Sequence, residues 1–466
     1  MEEATGDEFL KIELRGLEPV PDSERHGHPR ELFFIWAAAL ADFFSFLAGA
    51  ILVSLGLGVL DSIGVLVLGA AAGAALLGPL SVTGVRTGVP QIVFSRLAFG
   101  RRGAFIGGFL TMVIAIGWFS YDCAIAVYTA KSLPVFGAGP PAWLVALMLA
   151  AMVIACVVVA VYGHRTITIV QTVQAPTFML LAAVVAIALA SRFHPGLVSS
   201  LDPSTHLAVA LLGFTATFAL IVSWATYAAD YSRYLPAHSP AVAVSLWSGA
   251  GSMVTLVACG VLGILVQSID PRNQNLAELI VRNLPAWLAW TFVAFIVVAE
   301  MSSNYLNVYT AALSALAIGV RLRRWTAAIV VGGVGGVFAM WIVFHGDFLG
   351  TYLNFLLATY VWFPAWCVVV LVDFYRRRRQ LSSADVTATS APGARTFNWR
   401  AVAAFGIGTA ATLLFYNNQP TFEGWAARAL FHDQAADISS FVGVLVTVLV
   451  LGVLLWPRTG AHRSAS

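Results

Sequence analysis

Charge is what this sequence has least of. Asp, Glu, Lys and Arg make up 11% of its 466 residues, against about 25% in an ordinary soluble protein. Hydrophobic residues make up 59%, too many for polar groups to cover a water-facing surface. The formal net charge is only +3 and the basic residues are dispersed, which excludes the footprint of a nucleic-acid binder. Cysteine is scarce. Cys123, Cys156, Cys259 and Cys367 all fall in hydrophobic segments, with no close-spaced Cys/His set, so neither a disulfide framework nor a zinc site is readable. No hydrophobic span holds two histidines. His164, His194, His206, His238, His345 and His432 sit in loops or at span ends, where solvated histidine is the ordinary reading. A membrane-embedded metalloenzyme is thereby disfavoured. Residues 1–31 carry nine acids, four bases and no apolar run, and read as a polar tail rather than a cleavable leader. The period-two alternation of an outer-membrane barrel is also missing.

What is abundant is uncharged apolar sequence. Residues 132–162, 326–344 and 438–456 contain no Asp, Glu, Lys or Arg, and about 20 such residues cross a ~30 Å hydrocarbon core as a helix. With charges, Pro and Gly as punctuation, the sequence predicts twelve helices at 32–57, 62–84, 103–131, 142–162, 167–190, 206–229, 240–267, 286–317, 325–345, 347–374, 399–417 and 437–456, numbered one to twelve below. Helix eleven is the weakest of them, closed by polar Tyr416, Asn417, Asn418, Gln419 and Pro420. This count places 21 of the 26 Lys and Arg on the side of the N-terminus. The rule that positive loops stay inside then sets both termini in the cytoplasm of a plasma (inner) membrane protein. The arginine run 376–379 reads as an anchor ending helix ten, and 380–396 as a flexible linker. Gly332, Gly333, Gly335 and Gly336 predict close packing of helix nine.

A charge at a helix centre costs at least ~2.5–3.5 kcal/mol on insertion scales, so each one needs a reason. Asp230 and Asp373 lie at helix ends near Arg233 and Arg376, where capping or pairing suffices. Asp42, Asp122 and Glu300 are deeper. Trp118 and Asp122 are four apart and share a helix face, a ring above a carboxylate. That pairing offers a π-face and an acceptor to a flat heteroaromatic ligand. In helix eight, Glu300, Asn304 and Asn307 form one polar stripe at i, i+4, i+7, and Ser302 and Ser303 point elsewhere. Hydroxyls with backbone carbonyls suit a hard monovalent cation, and an amide suits the edge of a base. Glycines and hydroxyl residues near the middle of helices one and six permit broken helices whose freed backbone groups bind ions and ligands.

Five stretches then resemble the nucleobase–cation symporter family, in its purine/cytosine permease branch. They are the sequence SRLAFG at 95–100 followed by Gly103, Gly117-Trp118-Phe119, WATYAADYSRYLP at 224–236, Ser302-Ser303-Asn304 with Asn307-Val308-Tyr309, and Asp373-Phe374-Tyr375 before the arginine run. Their order and spacing agree from about 30 to 417. The resemblance implies an all-α integral membrane protein with a LeuT-like five-plus-five inverted repeat, broken helices one and six, and two extra C-terminal helices. In domain terms these are a polar tail (1–31), a ten-helix transport core (32–374), a basic, flexible linker (375–398), accessory helices eleven and twelve (399–457) and a C-terminal tail (458–466).

The resemblance also implies residue roles. Trp118 would stack on the substrate, Asn304 would bond its edge, and Asp122 would take the place of a polar contact. Ser302 and Ser303 would offer hydroxyls to sodium, with the carbonyl of Ala299 and carbonyls from helix one, expected within 46–49. Asn307, Glu300, Phe218 and Trp224 complete the candidate lining; where some relatives have a helix-six ring, this chain has Ile221, and Phe218 or Trp224 could supply one. The expected function is symport of a small planar nitrogen heterocycle, a nucleobase or related ring, coupled to Na+ or H+ by alternating access, with no enzymatic cofactor, no nucleic acid and no obligatory protein partner. Asp122 or Glu300 could instead carry a coupling proton. The rivals are a thiamine or an amino-acid/amine transporter on the same fold, and a channel.

Overall fold

The computed structural model describes residues 7–455 apart from 137–138, 346–347, 378–380, 392, 419–421 and 432–435. The expectations placed on Arg378, Arg379, Gln419, Pro420, His432, Trp456, Arg458 and Arg463 lie outside the described residues. Almost everything else is helical. Among the described residues eight helices are long and apolar enough to cross a membrane: Val59–Thr87, Ala104–Lys131, Ala142–Tyr162, His164–Arg192, Pro203–Ser232, Ala241–Gln267, Ala286–Ala317 and Arg324–His345. They correspond to helices two to nine.

Helix one is a bent pair, Glu31–Ala39 and Phe43–Ser54, with 59° between the halves. Helix six is also interrupted. Its α-helix ends at Val222 and resumes over Ala228–Ser232, after a 3-10 turn at Ala225–Tyr227. Helix ten is two pieces, Phe348–Tyr360 and Phe363–Arg376. Two shorter apolar helices, Trp399–Phe415 and Ser439–Leu455, follow.

Small residues set how closely the helices approach. A Cβ built on Gly49 would overlap the carbonyl of Gly260 in helix seven, and one on Gly263 would overlap the carbonyl of Phe46. The second half of helix one therefore lies backbone to backbone on helix seven, a contact only glycine allows. In helix nine, Gly335 faces the ring of Phe119, and Gly332 and Gly336 face Val157 and Val153 in helix four; Gly333 faces open space. Three of the four glycines thus serve the predicted packing.

The polar tail is not left in solvent. Glu13 is 6% exposed, and its carboxylate accepts from Arg233 Nη2 at 3.0 Å, Tyr234 Oη at 2.6 Å and Tyr309 Oη at 3.0 Å through Oε1. Oε2 accepts from the amide of His164 and lies 3.8 Å from Arg324 Nε. Asp7 accepts from the amide of Arg165 and meets His164 Nδ1 at 2.7 Å. The segment therefore ties the end of helix six to the start of helix nine and to the turn between helices four and five. His164, expected to be solvated, is 4% exposed and stacked on Tyr234 at 4.1 Å. A lone sequence position could not show that a distant acid would cover it.

Two other acids take partners different from those expected. Asp230 receives the amide of Gln91 and the hydroxyl of Thr310, because Glu13 has taken Arg233. Asp373 pairs with Arg377, one turn on, rather than Arg376. In the linker, residues expected to be flexible form a short helix, Ser383–Ala388, started by a capping box between Ser382 and Asp385.

Burial alone would raise the Glu13 carboxyl, but Arg324 and then Arg233 outweigh it and hold it below the ordinary range. Asp7 is likewise held low against its burial, chiefly by His164. A depressed carboxyl stabilises the folded state above its unfolded pKa and loses that contribution as pH falls through the folded value. The ordinary value for Glu13 is 4.5 and its partners are arginines, charged throughout, so this acid should keep the tail docked across pH 5–8. Protease cutting within 7–30 should be equally slow at pH 8 and pH 5. Release at pH 6 would contradict this account of the docking.

Candidate ligand site at the break in helix one

The break at Leu40–Asp42 interrupts the ladder between the carbonyl of Ala39 and the amide of Phe43, which would bond in a continuous helix. Helix eight supplies substitutes for both. Glu300 Oε1 accepts from the Phe43 amide at 2.7 Å, and the Ser303 hydroxyl donates to the Ala39 carbonyl at 2.8 Å. These residues are three apart and share a face. Asp42 has extended backbone and caps the second half-helix, its Oδ1 accepting from Ser45 N at 2.8 Å. Two carboxylates thus occupy a half-helix N-terminus, the end that attracts negative charge. At the break the Ala39 carbonyl faces helix eight, while the cation carbonyls were expected within 46–49. Those residues lie inside the second half, against helix seven.

Beside the break stands a set of rings. Trp118, 7% exposed, meets Phe44 at 5.7 Å, Tyr352 at 6.1 Å and Phe355 at 5.3 Å between centroids, with all three planes steeply inclined to its own. Phe44 and Tyr352 stack at 4.4 Å. The indole N–H of Trp118 is buried with no hydrogen-bond partner among the described residues. One turn along helix three, Asp122 Oδ2 accepts from Asn307 Nδ2 at 3.0 Å. Asn307 Nδ2 also lies 3.4 Å from Asn304 Oδ1, and Asn307 Oδ1 accepts from Tyr227 Oη at 3.1 Å. Asn304 Nδ2 approaches the Phe119 carbonyl and Cys123 Sγ, each at 3.4 Å. Helices three, six and eight are thereby joined by one amide–carboxylate network next to an aromatic wall.

Of the residues singled out in the sequence, Trp118, Asp122, Asn304, Asn307, Glu300 and Ser303 meet here, and Ser302 turns to Gln171 of helix five. Ala299 is fully buried one turn before Ser303. Trp224 reaches the network through Tyr227, whose ring is 5.1 Å away. Phe218 instead stacks on Phe214, with its backbone against Gly69 and Gly73 of helix two. No ring contact joins Phe218 to Trp118 among the described residues.

Sequence reasoning missed Phe44, Tyr352, Phe355 and Gln171. Aromatic residues are 12% of the chain, so single rings carry no signal. The capping role of Asp42 was not read from the sequence, although an Asp just before an apolar run is a helix-start signal. Among the described residues no three His, Cys, Asp or Glu side chains converge to hold a metal ion.

A polytopic helical protein with a buried aromatic and amide site at a broken helix is a membrane permease, and relatives bear this out. A family model described as "Permease for cytosine/purines, uracil, thiamine, allantoin" matches residues 19–443. The chain belongs to that family. YxlA of Bacillus subtilis (strain 168), whose name provisionally makes it a purine-cytosine permease, is 27% identical over 96% of this chain and 97% of its own. The purine-cytosine permease fcyB of Emericella nidulans is 24% identical over 93% and 86%. The nucleobase-cation-symport-1 transporter Mhp1, solved closed with bromovinylhydantoin bound, shares the fold. Its TM-score is 0.74 at 17% identity, over 95% of each chain. The LeuT-like fold extends to a Na+-coupled sialic acid symporter, with a TM-score of 0.53 at 12% identity over 91% of this chain and 89% of the other. These relatives are transporters, not enzymes.

Proposed function

We propose that this protein is a symporter that imports a planar nucleobase or related nitrogen heterocycle by alternating access, driven by Na+ or H+. It would span a plasma membrane twelve times with both termini in the cytoplasm, the last two helices being accessory. Trp118 stacks on the ring, and Asn304, Asn307 and Asp122 bond its edge. Ser302, Ser303, Ala299 and carbonyls at the helix-one break hold the cation. Cation binding biases the outward-facing state, and closure follows when both ligands are seated.

The observation that carries the substrate choice is the half-helix N-terminus after the break. In an amino-acid carrier on this fold, that end receives the substrate carboxylate. Here Asp42 and Glu300 already fill it, so a carboxylate ligand would meet like charge. A neutral or cationic ring with N–H donors meets complementary groups. A cationic ring such as thiamine is the second reading, favoured by the buried carboxylates of Asp42, Asp122 and Glu300 and by Glu300 Oε2, which has no hydrogen-bond partner among the described residues.

The test is uptake into proteoliposomes of cytosine, uracil, adenine, hypoxanthine, hydantoin, allantoin, thiamine and leucine, under an imposed sodium or pH gradient. Accumulation of one neutral heterocycle is expected, with leucine excluded. Uptake of leucine alone would overturn the proposal, and uptake of thiamine alone would select the second reading.

A further inference from the structure

Gln171 lies two turns into helix five (His164–Leu189), fully buried. Its amide grips one residue of helix eight at two points. Nε2 donates to the Ser302 carbonyl at 3.1 Å, and the Ser302 hydroxyl donates to Oε1. The direction of both bonds follows from chemistry. A backbone carbonyl can only accept, so the amide nitrogen must face it and the amide oxygen must face the hydroxyl. The hydroxyl hydrogen is therefore committed to Gln171. Both lone pairs of Ser302 Oγ are left for another partner. A monovalent cation needs that state of a serine ligand, since a hydroxyl with its hydrogen turned inward repels it.

We infer that Gln171 is a positioning residue for the cation site: it acts through Ser302, fixing the hydroxyl so that its oxygen faces a bound sodium ion. The inference rests on the proposed role of Ser302 as a sodium ligand. Gln171 touches no substrate, so its effect belongs to the ion and not to the heterocycle. The clamp also holds helix five to helix eight at the depth of the helix-one break, where Ser303 meets Ala39. Movement of helix five away from helix eight would free the Ser302 hydroxyl to turn and would weaken the ion's hold.

The test compares wild type, Gln171→Met, Ser302→Ala and the double variant in proteoliposomes. Methionine keeps the length and bulk of glutamine without its hydrogen bonds. The sodium concentration for half-maximal uptake should rise roughly tenfold in Gln171→Met, the scale of one lost hydrogen bond to a charged site. The heterocycle KM at saturating sodium and the maximal rate should stay near wild type. In detergent, sodium alone should stabilise wild type against heat and stabilise Gln171→Met only at correspondingly higher concentration.

The double variant should be no worse than Ser302→Ala, because Gln171 works through that hydroxyl. An unchanged sodium requirement in Gln171→Met would overturn the inference, as would strictly additive effects, which are what simple packing would give. With its carboxyl protonated, Gln171→Glu keeps both bonds, its O–H donating to the Ser302 carbonyl and its other oxygen accepting from the hydroxyl, and should bind sodium about as well as wild type. If Gln171→Met does not fold, a tenfold weakening in Gln171→Glu overturns the inference and near-normal binding supports it. A wild-type protein indifferent to sodium in both uptake and melting would remove the ion-site reading itself, leaving the substrate reading to the uptake panel.

Discussion

Replacing Trp118 with alanine is expected to weaken binding of a flat heterocycle by roughly ten- to a hundredfold, with the protein still folded. Stacking of a base on an aromatic side chain is worth about 1–3 kcal/mol by alanine substitution, and every 1.4 kcal/mol is about tenfold. The ring also holds its neighbours: Phe44, Tyr352 and Phe355 all lean on it at 5.3–6.1 Å, so its loss loosens the wall as well as removing the face. Trp118→Phe keeps a face and should retain most of the affinity. Equilibrium binding of the labelled substrate in detergent makes the comparison without the complication of transport. Equal affinity in Trp118→Ala and wild type would remove Trp118 from the site and leave the network of Asp122, Asn304 and Asn307 without its aromatic partner.

The second large effect is expected far from the ligand. Glu13→Ala leaves Arg233 and Arg324 with their principal counter-charge gone, and both are fully buried side chains. Removing one member of a buried ion pair costs about 3–5 kcal/mol, because the remaining charge has no water to return to. Two hydroxyls, from Tyr234 and Tyr309, lose their acceptor in the same substitution. A clear fall in melting temperature and in yield should result. Lys11→Ala, which breaks only an exposed pair with Glu8, should change neither, since surface pairs are worth about 0–1 kcal/mol. Similar melting of Glu13→Ala and Lys11→Ala would mean that the tail is held by its backbone contacts alone.

How much of this was legible in the sequence depends on range. Spans two to nine follow from local apolar length, and local patterning is enough to find them. The stripe of Glu300, Asn304 and Asn307 was visible because one helix carries all three, and Trp118 with Asp122 for the same reason. What escaped was every link between distant segments. Glu13 reaches residues 220 to 296 positions away, and no local pattern distinguishes an acid that will be buried between two arginines from one that stays in solvent. Gln171 is an uncharged polar residue in an apolar helix, and its partner lies 131 positions on. The break in helix one was expected, with its carbonyls sought within 46–49, whereas the interruption lies at Leu40–Asp42. The glycines at 49, 56 and 58 drew attention downstream, whereas the break is made by Asp42 and repaired by helix eight.

The bond between Asn304 and Cys123 has a use outside transport itself. Cys156, Cys259 and Cys367 are buried with Cys123, and none of the four is in a disulfide. Buried thiols in apolar surroundings are inert toward aqueous reagents. Cys123 lies against the polar network, with its sulfur 3.4 Å from the Asn304 amide. The chain therefore carries its own reporter. A maleimide that reaches Cys123 when water enters the site, and is kept out when a heterocycle fills it, would read the opening of the native protein without engineered labels.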